Sequence, residues 1–511
     1  MSYVMGLDAS TQSLSAVVID TGTLTVCHEA SVNFGDDLPE YGCPSGFLED
    51  LPEGRVHSDP LMWLAALDLL LARLGNDNAP LNQLAAVSGA GQQHGSVYLN
   101  NRFYDCLKAL SPKQSLADQI EPSLSRETAP IWMDSSTAQE CREIEQTLGG
   151  ADEVCRRTGS VCTERFTGPQ IRAFASRAPL EYTETRHIHL VSSFLCSVLA
   201  GVESPIDYGD GAGMNLMNLA QQAWDQDLLA ATADGLDGRL PPLVASNHIV
   251  GPIGSYFVEK YGLNPDCSVQ AFTGDNPASL VGMGASVPGS VVISLGTSDT
   301  VFSAMAKLET NPGDSAHVFG NPLGGFMILG CFANGSLSRE AFCDHLGVGW
   351  DIVEQAAGTM LDGEQLCLPF MLNEISPIRQ AGLVESHPTA PVTQRIRAFL
   401  EGQAFNMRRQ LEGMSIPVDS IHLTGGASRN GGIAQVISDV FDVTVQRLAD
   451  NGSGASSVAM GCAMRAAVSQ GVDRESLEVA FCQPDPGSMR TPGPGQSGCN
   501  QRYQAWLELL G

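Results

Sequence analysis

Lysine is nearly missing from this 511-residue chain, which holds only Lys108, Lys113, Lys260 and Lys307. That scarcity removes two common ways of holding a nucleotide. A P-loop needs a lysine after its glycine-rich turn, and the chain has no Gly-Lys dipeptide. A protein kinase needs a strand lysine in a VAIK-like run, and none occurs. Positive charge as a whole is sparse, because 28 basic against 57 acidic side chains leave a formal net charge of -29. Such a surface repels nucleic-acid backbones and anionic lipid, so neither nucleic acid nor membrane is expected as a partner. No apolar run approaches the roughly 18 residues that span a bilayer; the longest candidate, residues 190–201, is broken by three serines. The N-terminus enters a strand-like pattern without a basic region or apolar signal core, so a cytoplasmic protein is expected. None of the fourteen cysteines forms a CxxC pair. In a chain too long to need disulfide staples, they are expected to be mostly buried, reduced thiols.

Two distant stretches share one grammar. Met5 to Ser15 reads MGLDASTQSLS and Val292 to Ser303 reads VISLGTSDTVFS. Each is an apolar run, a glycine, a hydroxyl-rich turn with one aspartate, and an alternating apolar run. The period of two predicts hairpins over residues 3–19, with the turn at Asp8 to Gln12, and over residues 291–304. A helix is expected over Pro60 to Leu74, with Asp59 as its cap and Gly75 as its stop. The strand-like LAAVSGAG then leads into QQHGS. A second long helix is expected over Thr393 to Leu411. SIHLTGGASRNGG follows as strand, glycine-rich turn and helix, then VTVQRL as a strand and ASSVAMGCAMRAAV as a small-residue helix. Residues 483–498 are rich in proline and glycine and read as a surface loop before a closing helix at 503–510. Strands and helices thus alternate in two halves that open alike, which predicts an internally duplicated α/β protein.

Asp8 and Asp299 are expected at hairpin ends among Ser10, Thr11, Thr297, Ser298 and Thr300, where hydroxyls and backbone N–H groups bind anionic oxygens. A carboxylate in that position also orients magnesium through water. Two such turns would hold a magnesium triphosphate without lysine. The competing reading is that these residues are ordinary turn formers. A third element is LTGGASRN, in which Gly425 and Gly426 allow close backbone approach near the start of a helix.

Taken in order, GLDASTQ, SGAGQQHGS, IWMDSST, ERFTGPQI, SPIDYGDGAGMNL, FTGDNPASL, SLGTSDT and TGGASRN resemble the FGGY carbohydrate kinase family, in particular its animal-type xylulose kinase subgroup. The resemblance implies an α/β, two-domain actin-like ATPase (ribonuclease H-like) fold with an interdomain cleft: a sugar-binding domain over residues 1–274 and a nucleotide-binding domain over 275–511. It implies ATP-dependent phosphorylation of D-xylulose at O5, the alternatives being another ketose or polyol such as ribulose, or a non-kinase actin-like ATPase. It also implies roles for matched residues. Asp275 would be the general base, while His94 and Arg165, as donors, and Asn276 would hold the sugar. Asp8, Thr11 and Gln12, with Gly296, Thr297 and Ser298, would face the phosphates of ATP and Mg2+, with Asp8 meeting the metal through water. Gly425, Gly426 and Asn430 would meet adenosine and Trp350 would flank it. A monomer or homodimer is expected. Two departures from the wider family stand out: Ser136 occupies the last position of its W-x-D-x-R pattern, and Arg172-Ala173-Phe174 replaces K-x-W.

Overall fold

The alternating pattern near the N-terminus becomes β1 (Tyr3–Ala9) and β2 (Ser13–Asp20), an antiparallel pair whose register sets Asp8 opposite Ser15. The computed structural model describes residues 2–313, 316–356, 358–361, 364–449 and 456–511. Asp8 therefore lies inside β1 rather than in the turn, because the ladder continues through Ala9 opposite Leu14. β3 (Thr25–Asn33) extends the hairpin antiparallel, and β4 (Leu84–Gly91) joins the other side of β1 in parallel. β5 (Ile249–Pro252), β6 (Ser268–Gln270) and the two-residue β7 (Thr273–Gly274) complete a 7-stranded sheet in the order β5-β6-β4-β1-β2-β3, with β7 also on β4.

The second half repeats this plan. β8 (Gly289–Leu295) and β9 (Asp299–Met305) form the hairpin. β10 (His317–Gly320) and β11 (Phe326–Phe332) continue it, and β12 (Val418–Thr424) and β13 (Thr444–Arg447) follow in parallel beyond β8. The order is β10-β11-β9-β8-β12-β13. In both sheets an antiparallel run meets parallel strands at the first strand of a hairpin. This is the duplicated ribonuclease H-like plan of actin-like ATPases that the sequence implies.

Helices cover the sheets. α1 (Pro60–Asn76) starts as expected, with the Asp59 carboxylate accepting from Leu61 N–H at 2.8 Å, but runs through Gly75 and is capped at Asp77. α2 (Thr167–Arg177), α3 (Val191–Ala200) and α4 (Asp275–Gly282) follow in the first half. α5 (Ser336–Leu346), α6 (Val392–Gly413), α7 (Gly431–Phe441), α8 (Ser457–Ser469) and α9 (Cys499–Leu510) follow in the second. The first residue of the ASSVAMGCAMRAAV segment, Ala455, lies outside the described residues.

Two compact units result, and they are not a simple cut of the chain. The first comprises residues 1–282, 319–325 and 452–481; the second comprises 283–318, 326–451 and 482–511. α4 and α8 thus belong to the first unit, although the sequence reading started the second domain at 275. The reason is close backbone packing of small residues. A Cβ on Gly461 of α8 would lie 2.0 Å from the Ala278 carbonyl oxygen of α4, and one on Gly6 of β1 would lie 2.1 Å from the Ala459 carbonyl oxygen of α8. The chain returns to the first sheet after building most of the second.

The core of the first unit centres on α1, α3 and their sheet, with Trp63, Leu67, Phe103, Phe194 and Phe257 fully enclosed. In the second, Glu401 of α6 takes a two-pronged bond from Arg502 of α9 at 2.8 and 2.9 Å, and Arg397 joins it to Asp439 of α7. Buried charges at such spacing hold only because each has its partner. All fourteen cysteines are free thiols and most are buried. No helix among the described residues is long and apolar enough to cross a membrane.

Candidate active site

In open sheets, ligands gather beyond the carboxyl ends of parallel strands. β1 and β4 end side by side in the first unit, Ala9 facing Gly91, and the Gln92 N–H donates to the Ala9 carbonyl at 2.8 Å. β7 ends next to them, Gly274 facing Gly91. The residues that follow these strands, Ser10 to Gln12, Gln92 to His94, and Asp275 with Asn276, therefore emerge at one edge.

Asp275 opens α4 and is half-buried. Its Oδ1 accepts from the Asn276 backbone N–H at 2.8 Å and from Asn276 Nδ2 at 3.0 Å. Burial, followed by the negative charge of Asp8, raises its pKa to about 7, while the Asn276 and Gln93 donors pull the other way. Asn276 also donates to Gln93 Oε1 at 2.9 Å. Its amide donors serve Asp275 and Gln93, so they orient the Asp275 carboxylate rather than face a ligand.

His94 has φ 72, a left-handed conformation unusual for a residue with a Cβ. Its Nδ1 lies 2.7 Å from the Gly213 carbonyl, so Nδ1 carries the proton and donates. Burial, then the nearby Arg165, lowers its pKa to about 3. The ring is therefore neutral and its Nε2 is an acceptor. The sequence predicts His94 as a donor to sugar oxygens; its Nδ1 proton is already committed to the backbone, so its Nε2 can only accept a hydrogen bond from a hydroxyl. Phe166 stacks on the ring at 4.3 Å and the Arg165 guanidinium lies over Phe166 at 5.5 Å. These contacts bring His94 and Arg165 together.

Three contributors were not singled out from the sequence. Gln93 is buried and its Nε2 has no hydrogen-bond partner. Gly213 is needed because a Cβ there would lie 3.1 Å from the His94 ring. Asp210, fully buried, has an unpartnered Oδ1 and accepts from Ser192 through Oδ2; burial raises its pKa well above the usual carboxylate range. The DYGDGAG segment signalled both Gly213 and Asp210 by its glycines, but nothing local linked it to QQHGS.

Asp8 is buried in β1. Its Oδ2 accepts from Ser456 Oγ at 2.7 Å and its Oδ1 has no hydrogen-bond partner. Burial raises its pKa to about 6. One orphaned carboxylate oxygen, with no cluster of three or more acidic, histidine or cysteine side chains able to hold a metal among the described residues, fits an ion that keeps most of its waters. Thr11 Oγ1 accepts from the Trp132 indole N–H at 2.9 Å, and the exposed Gln12 completes the turn. Asp134, in the departing WMDSS segment, is a buried hub instead: it receives Val56 N–H, Ser136 and Gln170.

The second unit holds the other predicted loops. Gly296, Thr297 and Ser298 form the bend between β8 and β9, with Thr297 and Ser298 exposed. Gly425 follows β12, the parallel neighbour of β8, and a Cβ on it would lie 2.5 Å from the Leu295 carbonyl oxygen. Gly296 and Gly425 thus sit at adjoining strand ends. The expected order of strand, glycine-rich turn and helix holds: Gly426–Arg429 is a single 3-10 turn, and Asn430 caps α7 by accepting from Gly432 and Ile433 N–H at 2.9 and 3.1 Å. Trp350 precedes the helical turn Asp351–Ala356, whose Glu354 backbone packs on Gly432. Asp299 does not face a ligand. It is fully buried and gripped by Arg339 at 2.8 and 2.9 Å.

Residues 115–282 match the N-terminal domain model of the FGGY family of carbohydrate kinases, and residues 291–470 match its C-terminal domain model. The chain belongs to the FGGY family of carbohydrate kinases. This FGGY kinase is 39% identical to a xylulose kinase of Mus musculus, over 98% of this chain and 92% of the relative. It is 39% identical to "xylulose kinase 2" of Arabidopsis thaliana, over 91% and 87%. Among solved structures it resembles a xylulose kinase from Rhodospirillum rubrum, with TM-score 0.82 at 19% identity over 99% of this chain and 98% of the other. A Plasmodium falciparum glycerol kinase with ADP gives TM-score 0.79 at 14% identity, over 100% and 98%. At these identities the solved structures speak for the fold of the FGGY kinase alone.

Proposed function

We propose that this carbohydrate kinase phosphorylates D-xylulose at O5 with ATP as phosphoryl donor, and that Asp275 is the base. The carrying observation is the arrangement at the edge of the first sheet: a carboxylate with pKa about 7, oriented by Asn276, near a neutral His94 with Nε2 as acceptor. A sugar alcohol is a weak nucleophile, and a base poised near neutral pH assists it by ~10² to 10⁴-fold. His94 Nε2 accepts a hydrogen bond from a sugar hydroxyl, Arg165 donates to sugar oxygens, and the partnerless Gln93 Nε2 supplies a further donor. Xylulose is the sugar named by the relatives at 39% identity.

Asp8 would hold Mg2+ through water, using its orphaned Oδ1. When bound, the ion neutralises phosphate charge. Thr11 and Gln12 in the first unit, and separately Gly296, Thr297 and Ser298 in the second, carry hydroxyl and backbone donors of the kind that bind phosphate oxygens. Gly425, Gly426, Trp350 and Asn430 are assigned to adenosine, Asn430 through its Nδ2 because its Oδ1 caps α7. Free thiols throughout the chain fit a reducing compartment, and we place the enzyme in the cytoplasm.

An ADP-release assay over pentuloses, hexuloses and polyols tests this reading. D-xylulose should give the highest kcat/KM. A preference for ribulose or a polyol would overturn the substrate assignment, and no sugar-dependent ADP release with any acceptor would overturn the kinase reading.

A further inference from the structure

A concavity of about 620 Å³ in the first unit has neither Asp8, His94 nor Asp275 in its lining. Arg126 lines it, and the exposed Arg55 and Arg177 stand on its walls. Three guanidinium groups gather around this one pocket in a chain with only 28 basic side chains. The opposing acids are Glu127 and Glu181, both exposed, Glu140, which pairs with Arg177 at 2.7 Å, and the buried Asp134, whose charge also attracts Arg126.

Arg126 is held in an unusual way. Its guanidinium carbon lies 4.9 Å from the Tyr98 ring centre and 4.7 Å from that of Phe174, so two aromatic faces fix its plane. Its Nη1 is buried without a hydrogen-bond partner, and Nη2 lies 3.5 Å from His57 Nε2. His57 is no competing cation, because burial lowers its pKa by more than Asp134, 3.3 Å from its Nε2, raises it. A desolvated guanidinium with an unused N–H is costly unless an anion completes it. Its planar fork suits phosphate oxygens.

The pocket and the sugar ligands share one helix. Gln170, Ala173, Phe174 and Arg177 of α2 line the pocket at helical spacing. At the start of α2, Thr167 Oγ1 donates to the His94 carbonyl at 3.0 Å, directly after Phe166, which stacks on the His94 ring. An occupant that moves α2 is therefore felt at His94.

We propose that this pocket binds a small phosphorylated metabolite on Arg126, with Arg55 and Arg177, and that its occupancy is coupled through α2 to sugar binding. The first part stands apart from the kinase reading; the second rests on the assignment of His94 to the sugar. Calorimetric titration of the full chain with glucose 6-phosphate, and separately with inorganic phosphate, tests it, each with and without saturating D-xylulose and with no nucleotide. Glucose 6-phosphate should bind in the presence of D-xylulose, and its affinity should change several-fold when the sugar is withheld, as linkage requires. Inorganic phosphate binding equally well would assign the pocket to the free ion and support the oxyanion site. Arg126→Met should weaken binding by about tenfold or more. Arg55→Gln, at an exposed position, provides the same test without risk to the core, with a smaller loss. Absence of binding by either probe, or binding that survives both substitutions, would overturn the site. Equal affinity with and without D-xylulose would overturn the coupling.

Discussion

Asp8 and Asp299 look like counterparts in the sequence, each the single aspartate of a hydroxyl-rich hairpin turn, yet they stand on opposite strands. Asp8 precedes its turn, in β1 opposite Ser15, whereas Asp299 follows its turn, in β9 opposite Leu295. Asp8 keeps one buried oxygen without a partner and shares its field with Asp275. Asp299 is neutralised by a forked bond from Arg339, which also reaches Gln403 at 3.2 Å. One duplicated plan thus carries a carboxylate with an unpartnered oxygen in the first unit and one closed by an ion pair in the second. Unpaired buried acid is tolerated where a ligand completes it and is otherwise expensive.

The comparison is sharpened most strongly at Asp275, the residue whose pKa Asp8 helps to raise. Asp275→Asn should lower kcat by ~10² to 10⁴-fold, with the fold retained, in a steady-state assay at pH 7.5. A variant keeping most of its turnover would remove Asp275 from the base role.

A paired experiment follows on the two turn aspartates. Asp299→Asn should destabilise the protein by about 3 kcal/mol or more, since it breaks a buried pair and leaves Arg339 charged. Asp8→Asn should leave the melting temperature unchanged or raised and instead weaken the apparent Mg2+ affinity in the assay by about 10 to 100-fold. Denaturation and magnesium titration of both variants read the two effects. The contrast breaks if Asp8→Asn unfolds the chain while Asp299→Asn spares it.

The pH dependence should separate stability from activity. The folded pKa values of Asp8 and Asp275, about 6 and about 7, lie above the unfolded carboxylate value. Their contribution to stability is therefore present in acid and lost as pH rises through about 6 to 7, whereas the base works only once ionised. Between pH 5 and 8 the kcat/KM profile should rise with an apparent pKa near 7, belonging to the coupled pair, while this part of the stability falls. Asp275→Asn should flatten most of that stability slope and be more stable than the parent at pH 8 by roughly 2 kcal/mol, measured by denaturant titration. A slope unchanged by the substitution would mean that the carboxylate is not strained by burial.

The smallest effect is expected in the second unit. Asn430→Ala removes the cap of α7 and should cost about 1 kcal/mol. It should also raise the KM for ATP while leaving the KM for D-xylulose in place, and an unchanged ATP KM would leave Asn430 as a cap alone.

Local pattern was enough for much of this. The alternation around GLDASTQ and SLGTSDT specified two hairpins, since a period of two buries one face of a strand wherever it occurs. Asp59-Pro60 specified the start of α1 because cap and first-turn preferences act over a few residues. The ordered motifs specified the family and brought Asp275, Asn276, His94 and Arg165 forward as a set. What they could not reveal was each side chain's partner. Whether Asp8 or Asp299 stays open depends on Ser456 and Arg339, residues 448 and 40 positions away. Whether His94 donates or accepts depends on the Gly213 carbonyl, 119 positions away. The placement of α8 on the first sheet depends on glycines meeting backbone across the whole chain. Secondary structure follows from short-range sterics and periodicity, which a sequence displays. Protonation, pairing and burial follow from which groups share a volume, and only the tertiary structure decides that.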